Sequence, residues 1–424
     1  MNVNRTILLI LTLLVAGGLR AQIPDFVYSP SIGSPQLYMA GNQLQYPIIR
    51  LKSTDQMELH FDDLDDGAVK NYYYTFILCN EDWTPAEVSE FDYLKGFSQM
   101  RIDNYTLSAV ALTRYTHYQA ILPDPNCIPI HSGNYMLKVF LDGDTSKLAF
   151  TKRFLVVDAR TPIQSQMMQP QDNTLARAFQ HIQFRVNTAA VNPTNPLDQI
   201  KVDILQNNRW DNVMRNLKPT FATSNDLQFN NPDDLNFEGG SEWRWIDLQS
   251  FRYQSERVQS VTATKTSTDI IAKTDGDRSQ KEYYYYKDLN GNYYINTTEQ
   301  YNPLWQTDYA TVHFSFVPAG GAFPDKDVYM IGRWAGGGLN DSSRMTWNAD
   351  KGRYERSYFL KEGYYSYSYV TVDRSDAAMK PSFAQTEGNH IDTENNYLIL
   401  VYYRALGARA DELVGISRFN SVNK

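Results

Sequence analysis

Apolar runs long enough to cross a bilayer are missing from this sequence. The longest, Ile7–Ala16, covers about ten residues against the roughly 20 that a spanning helix needs. Arg5 precedes it, and Gly17-Gly18 and a small-residue exit at Ala21 follow, so residues 1–21 read as a secretory signal peptide rather than an anchor. No Cys follows the run, so lipoprotein attachment is not indicated, and the mature chain is expected to be exported and free of transmembrane segments. Cysteine is nearly absent: Cys79 and Cys127 are the only two. In an oxidising compartment they could close a disulfide contributing about 4 kcal/mol in the chain-entropy model; the other reading is two buried free thiols. Without paired histidines they do not make a zinc site. The six histidines (His60, His117, His131, His181, His313, His390) are scattered, none at the i, i+4 spacing of a metal-binding helix. Positive charge is in deficit, 40 Lys and Arg against 48 Asp and Glu, and a net charge of -8 argues against nucleic acid, whose phosphates demand a basic face. There is no nucleophile elbow, and Gly336-Gly337-Gly338 lacks the Lys-Ser/Thr of a phosphate-binding loop. No catalytic, cofactor-binding or metal-ligating residue is expected, and the chain does not read as an enzyme.

What the chain does have is aromatic bulk, 30 Tyr and 20 Phe, which favours pleated, half-buried surfaces. Gln56–Phe61 alternates Met57, Leu59 and Phe61 against polar neighbours, the pattern of a half-buried strand. Asn134–Leu141, Asp142-Gly143 and Leu148–Val157 read as a hairpin, with Asp-Gly supplying positive φ at low cost. Ile200–Leu205 before Asn207-Asn208, and Glu282–Lys287 before Asn290-Gly291 and Asn292–Ile295, read as two more. Glu242-Trp243-Arg244-Trp245-Ile246-Asp247 places both tryptophans on one face and the charges on the other. The run Asp62, Asp63, Asp65, Asp66, Gly67 invites a calcium loop. Counted from Asp62, however, Leu64 occupies the third place and Tyr73 the twelfth, where the bidentate carboxylate belongs, so a solvated turn is the expectation.

The wording and order of Asp62–Gly67, Asn71–Phe76, Cys79-Asn80-Glu81-Asp82-Trp83-Thr84-Pro85, Tyr115–Tyr118, Ser132–Tyr135 and Phe140–Asp144 resemble the N-terminal domain of the type 9 secretion system plug family. Asn207–Asn212, Asn216–Pro219, Phe237–Gly240 and the stretch from Tyr402 to Gly415 resemble the same family. Val328–Trp334, Met345–Trp347, Gly352–Tyr354 and Gly363–Tyr367 look like the early-set sandwich shared by glycogen-binding modules.

The expected fold is therefore all-β, with three immunoglobulin-like or early-set β-sandwich domains in series after the signal peptide. The divisions fall at 22–159 (the plug-family N-terminal domain), 160–304 and 305–424. The resemblance implies a non-catalytic periplasmic subunit. It would dock peripherally on the outer-membrane translocon barrel of the type 9 secretion system and seal its pore. The alternative is a periplasmic or surface carbohydrate-binding protein, with Trp334 and Trp347 as the candidate glycan platform; for both, core packing is the competing reading.

Overall fold

The computed structural model describes residues 24–336 and 338–422, and the expected signal peptide lies outside them. The described chain is nearly all strand; its two helices, Glu90–Tyr93 and Pro196–Gln199, are single turns.

Residues 24–158 form the first sandwich. One sheet has the order Ile32–Met39, Met57–Asp63, Thr116–Leu122, Asn104–Leu107. The other runs Ile48–Arg50, Leu148–Val157, Gly133–Leu141, Tyr72–Cys79, Met100–Arg101. Met57, Leu59 and Phe61 point between the sheets as their alternation requires, and Phe61 stacks on Tyr118 with ring centroids 5.1 Å apart. The expected hairpin forms, with Gly133–Leu141 antiparallel to Leu148–Val157 and positive φ at both Asp142 and Gly143. Asp66 and Gly67 also take positive φ, but their turn carries the chain from one sheet to the other.

The serial division beyond residue 159 is corrected by the strand pairing. Ile200–Gln206 pairs along its whole length with Asn396–Tyr403, which pairs in turn with Glu412–Asn420. This three-stranded sheet covers the sheet built on Phe179–Asn187, and one core joins Ile182, Phe184 and Phe229 to Tyr397, Ile399 and Val414. The second sandwich thus combines residues 163–238 with 396–420.

The third sandwich is inserted between those halves. Its sheets centre on Gly363–Asp373, with Arg244–Asp247, Tyr293–Ile295 and Lys326–Ile331, and on Tyr309–Val317, with Thr268–Ala272 and Arg353–Lys361. Ile246, Val258, Ile270 and Tyr293 share its core with Phe314, Tyr365 and Tyr367, so residues before 304 and after 305 belong to one body.

Two expected hairpins keep their turns and change partners. Asn207 and Asn208 both take positive φ, yet the return arm contributes a single bridge, Ile204 to Met214. Asn290-Gly291 also turns, but residues 282–287 are not strand, and Tyr293–Ile295 pairs with Gly363–Tyr365. Local periodicity marks a strand; the partner is set by packing across the chain.

Candidate binding cavity at the junction of three sandwiches

The first and second sandwiches meet through apolar side chains. Trp83 from the turn Asn80–Thr84 packs edge-on against Trp210, centroids 4.9 Å apart, and the same cluster holds Ile48, Leu155, Leu398, Leu400 and Leu413. The first and third meet through a buried polar network centred on Asp62. Its Oδ1 lies 2.7 Å from His117 Nδ1, while Oδ2 accepts from Tyr309 OH at 2.6 Å and from Lys361 Nζ at 2.5 Å. His60 Nδ1 lies 3.1 Å from His117 Nε2, and Lys361 also donates to Leu304 O at 2.6 Å above the face of Tyr115.

The expected solvated acidic turn is thereby half overturned. Asp62 and Asp63 are 1% and 0% exposed: the third sandwich covers the face that alternation assigned to water, where Asp62 lies, while Asp63 falls on the inner face with Phe61. Asp63 is bonded to Tyr72 OH at 2.8 Å and ion-paired with Lys70 at 2.9 Å. Burial, helped by His117, pushes His60 down to about 4. Burial also lowers Lys361, although Asp62 opposes the shift.

A second buried network sits inside the third sandwich. Arg244 donates to Glu387 and to Asp275 at 2.9 Å, and Asp275 Oδ2 accepts from Tyr367 and Tyr369. The charges of Glu242–Asp247 that alternation placed on an outer face therefore include a guanidinium that is 4% exposed. Burial would raise Glu387, but Arg244 and Arg278 hold it at about 2.

Where the three sandwiches converge they leave a cavity of about 410 Å³. Tyr38 and Tyr46 enter from the first, Arg209 and Trp210 from the second, Tyr293 and Arg333 from the third. Lys152, Arg153, Arg209, Arg215 and Arg333 face it against only Asp25 and Asp211, in a chain whose overall charge is -8. Arg209 and Asp211 form a two-pronged pair, and Lys152 lies 3.1 Å from Asp25. Arg153 stacks over Trp83, 4.4 Å from the centroid. Arg333 lies over Tyr46 and donates to Asn292 Oδ1 at 2.9 Å; among the described residues it makes no ion pair. Trp210 Nε1 donates to Tyr46 OH at 2.8 Å, fixing both rings. Guanidinium groups held flat against aromatic rings suit an anionic or polar partner group. The described lining contains no Ser, Thr, Cys or His.

The residues singled out in the sequence lie elsewhere. Cys79 and Cys127 are free, buried thiols, so the disulfide reading is corrected. Cys127 belongs to the core of the first sandwich and Cys79 to the interface cluster with the second, and burial pushes both up to about 12. Trp334 is packed edge-on by Tyr358 and Tyr365 and donates Nε1 to Ser366 O at 2.8 Å, while Trp347 packs edge-on against Tyr354 at 4.9 Å. Neither lines the cavity. The cavity residues come from all three sandwiches, and no sequence motif joins them. The one local signal was the pair of turns, Asn207-Asn208 and Asn290-Gly291, that deliver them.

Residues 32–158 match the family described as "Type 9 secretion system plug protein 1st domain". Among solved structures the chain is similar to a hypothetical protein from Parabacteroides merdae, with 29% identity and a TM-score of 0.89 over 94% of this chain and 100% of that one. No curated protein matches.

Proposed function

We propose, from the match of residues 32–158 to the first domain of the type 9 secretion system plug family, that the protein is the periplasmic plug of that system's outer-membrane translocon. It docks on the pore of the barrel and keeps it sealed while no cargo is loaded. The single observation that carries this reading is the first-domain match. The architecture supports it. Covering a wide pore requires shape and contact area rather than chemistry, and three sandwiches joined by the Trp83–Trp210 contact and the Asp62–Lys361 pair make a broad body. The role is structural and non-catalytic. Among the described residues no helix is long and apolar enough to cross a membrane; the attachment proposed is peripheral, to the barrel. The sugar-binding alternative loses its support, because Trp334 is packed by its neighbours rather than offered as a flat platform.

Docking has to be reversible, so the contact should be partly polar and built around exposed aromatic anchors. Phe91, Phe97, Tyr253 and Tyr284 are exposed on connecting segments and suit that use. The test is affinity purification of the tagged chain from outer membranes, which should bring the translocon barrel with it. Repeated recovery of the chain alone, from cells whose barrel is intact, would sink the proposal.

A further inference from the structure

Three carboxylates meet at the junction where the third sandwich is inserted into the second. Glu242 lies on the outgoing link, Glu394 on the returning link, and Asp288 on the turn before Tyr293–Ile295. One oxygen of each lies within 4.8 Å of the other two. Glu242 is 1% exposed and Asp288 8%.

Three other buried carboxylates are answered by cations: Asp62 has Lys361, Asp275 has Arg244 and Arg257, and Glu387 has Arg244 and Arg278. Among the described residues none of Glu242, Asp288 and Glu394 has an ion pair. Hydrogen bonds orient the group without neutralising it. Glu242 Oε1 accepts from Tyr283 OH at 2.5 Å and Glu394 N at 3.1 Å. Asp288 accepts from Trp243 N and from Asn290 N, the latter at 2.6 Å. Glu394 accepts from Asn290 Nδ2 at 2.7 Å and from Asn420 Nδ2.

Among the described residues two oxygens here have no N–H or O–H donor. Glu242 Oε2 is fully buried and unpartnered, on a carboxyl group within hydrogen-bonding reach of Asp288. Asn290 Oδ1 is likewise buried without a donor, on the side chain whose amide nitrogen touches Glu394. An acceptor left so in a dry site costs about 1–3 kcal/mol, more for a charged one.

We propose that Glu242, Asp288 and Glu394 are the ligands of a hard divalent cation, calcium, which ties both links of the insertion to the inserted sandwich. All the ligands are oxygens, which excludes the soft-metal alternatives. They come from three separate segments, and calcium's flexible coordination accepts such a set more readily than the strict octahedron of magnesium.

The experiment uses the full mature chain, stripped with EGTA and dialysed. Calorimetric titration with CaCl2 should show one site per chain. A hundredfold excess over the dissociation constant should raise Tm by about 3 °C. Glu242→Gln and Asp288→Asn should abolish binding. Their melting temperatures should equal or exceed that of stripped wild-type protein, because an amide removes the repulsion; a merely structural carboxyl would give variants that melt lower. Should both fail to fold, the partly exposed Glu394→Gln serves in their place. Wild-type protein that binds no calcium at millimolar concentration, or prefers magnesium, or variants that bind calcium unchanged, would overturn the proposal.

Discussion

Asp62 accepts bonds from side chains of two sandwiches, and removing its charge leaves Lys361 buried without a counter-ion. Breaking such a pair on one side costs about 3–5 kcal/mol, whereas replacing both partners with well-packed apolar groups is often neutral. Asp62→Asn should therefore lower stability by that amount in denaturant unfolding, and Asp62→Leu combined with Lys361→Met should recover most of it. A double-variant loss equal to the sum of the losses from changing each partner alone would show that the pair is not coupled. His60 makes a second residue-scale prediction. Its folded value, about 4, lies below the ordinary 6.5, so its contribution is intact above pH 6.5 and is lost as pH falls toward 4. Glu58, Asp62 and His117 face it. Against wild type, His60→Gln should flatten the Tm profile between pH 6.5 and 4, and parallel profiles would refute the assignment. The acidic run Asp62–Asp66 was visible in the sequence, but its division into two buried and two outward carboxylates was not, because the covering surface lies some 250–300 positions away in sequence.

Strands and turns were the most legible features. Alternation marked Met57–Asp63 and Gly133–Leu141, and Asn-Asn, Asp-Gly and Asn-Gly marked turns that do take positive φ. Partners were legible only where the turn joins them directly, as at Asp142-Gly143. Ile200–Gln206 finds its mate almost 200 residues later, and nothing in its own pattern says so. The insertion gives an element-scale prediction. In a chain ending at Asn395, hydrogen exchange should show Phe179–Asn187 unprotected and Gly363–Asp373 still protected, since the latter lies in a core of its own. Serial domains would lose protection after residue 305 instead.

For the whole molecule, the sequence carried the fold class through its aromatic bulk, and the wording of residues 58–158 carried the resemblance to the plug family's first domain, which the match over residues 32–158 supports. The central cavity and the carboxylate cluster were not legible, because each is assembled from segments that only the closed fold makes neighbours. If the body is a pore cover, deleting its gene should leave the translocon barrel assembled while cells become sensitive to large antibiotics that the outer membrane normally excludes. Secretion itself should be affected less. A deletion strain whose envelope stays tight, measured by uptake of such an antibiotic, would count against the sealing role.

The split second sandwich also imposes a timetable. A ribosome adds about 5–20 residues per second, so Ile200–Gln206 emerges on the order of ten seconds or more before Asn396–Tyr403 exists to pair with it. Throughout that interval an apolar strand edge stands open, the kind that recruits the wrong neighbour. The inserted sandwich can fold meanwhile, since its own core lies between the two halves, and doing so brings the ends of the insertion together at Glu242 and Glu394 before the last strands arrive. The nascent chain therefore waits half-finished for its own tail, and that waiting state is where a holdase would be needed most.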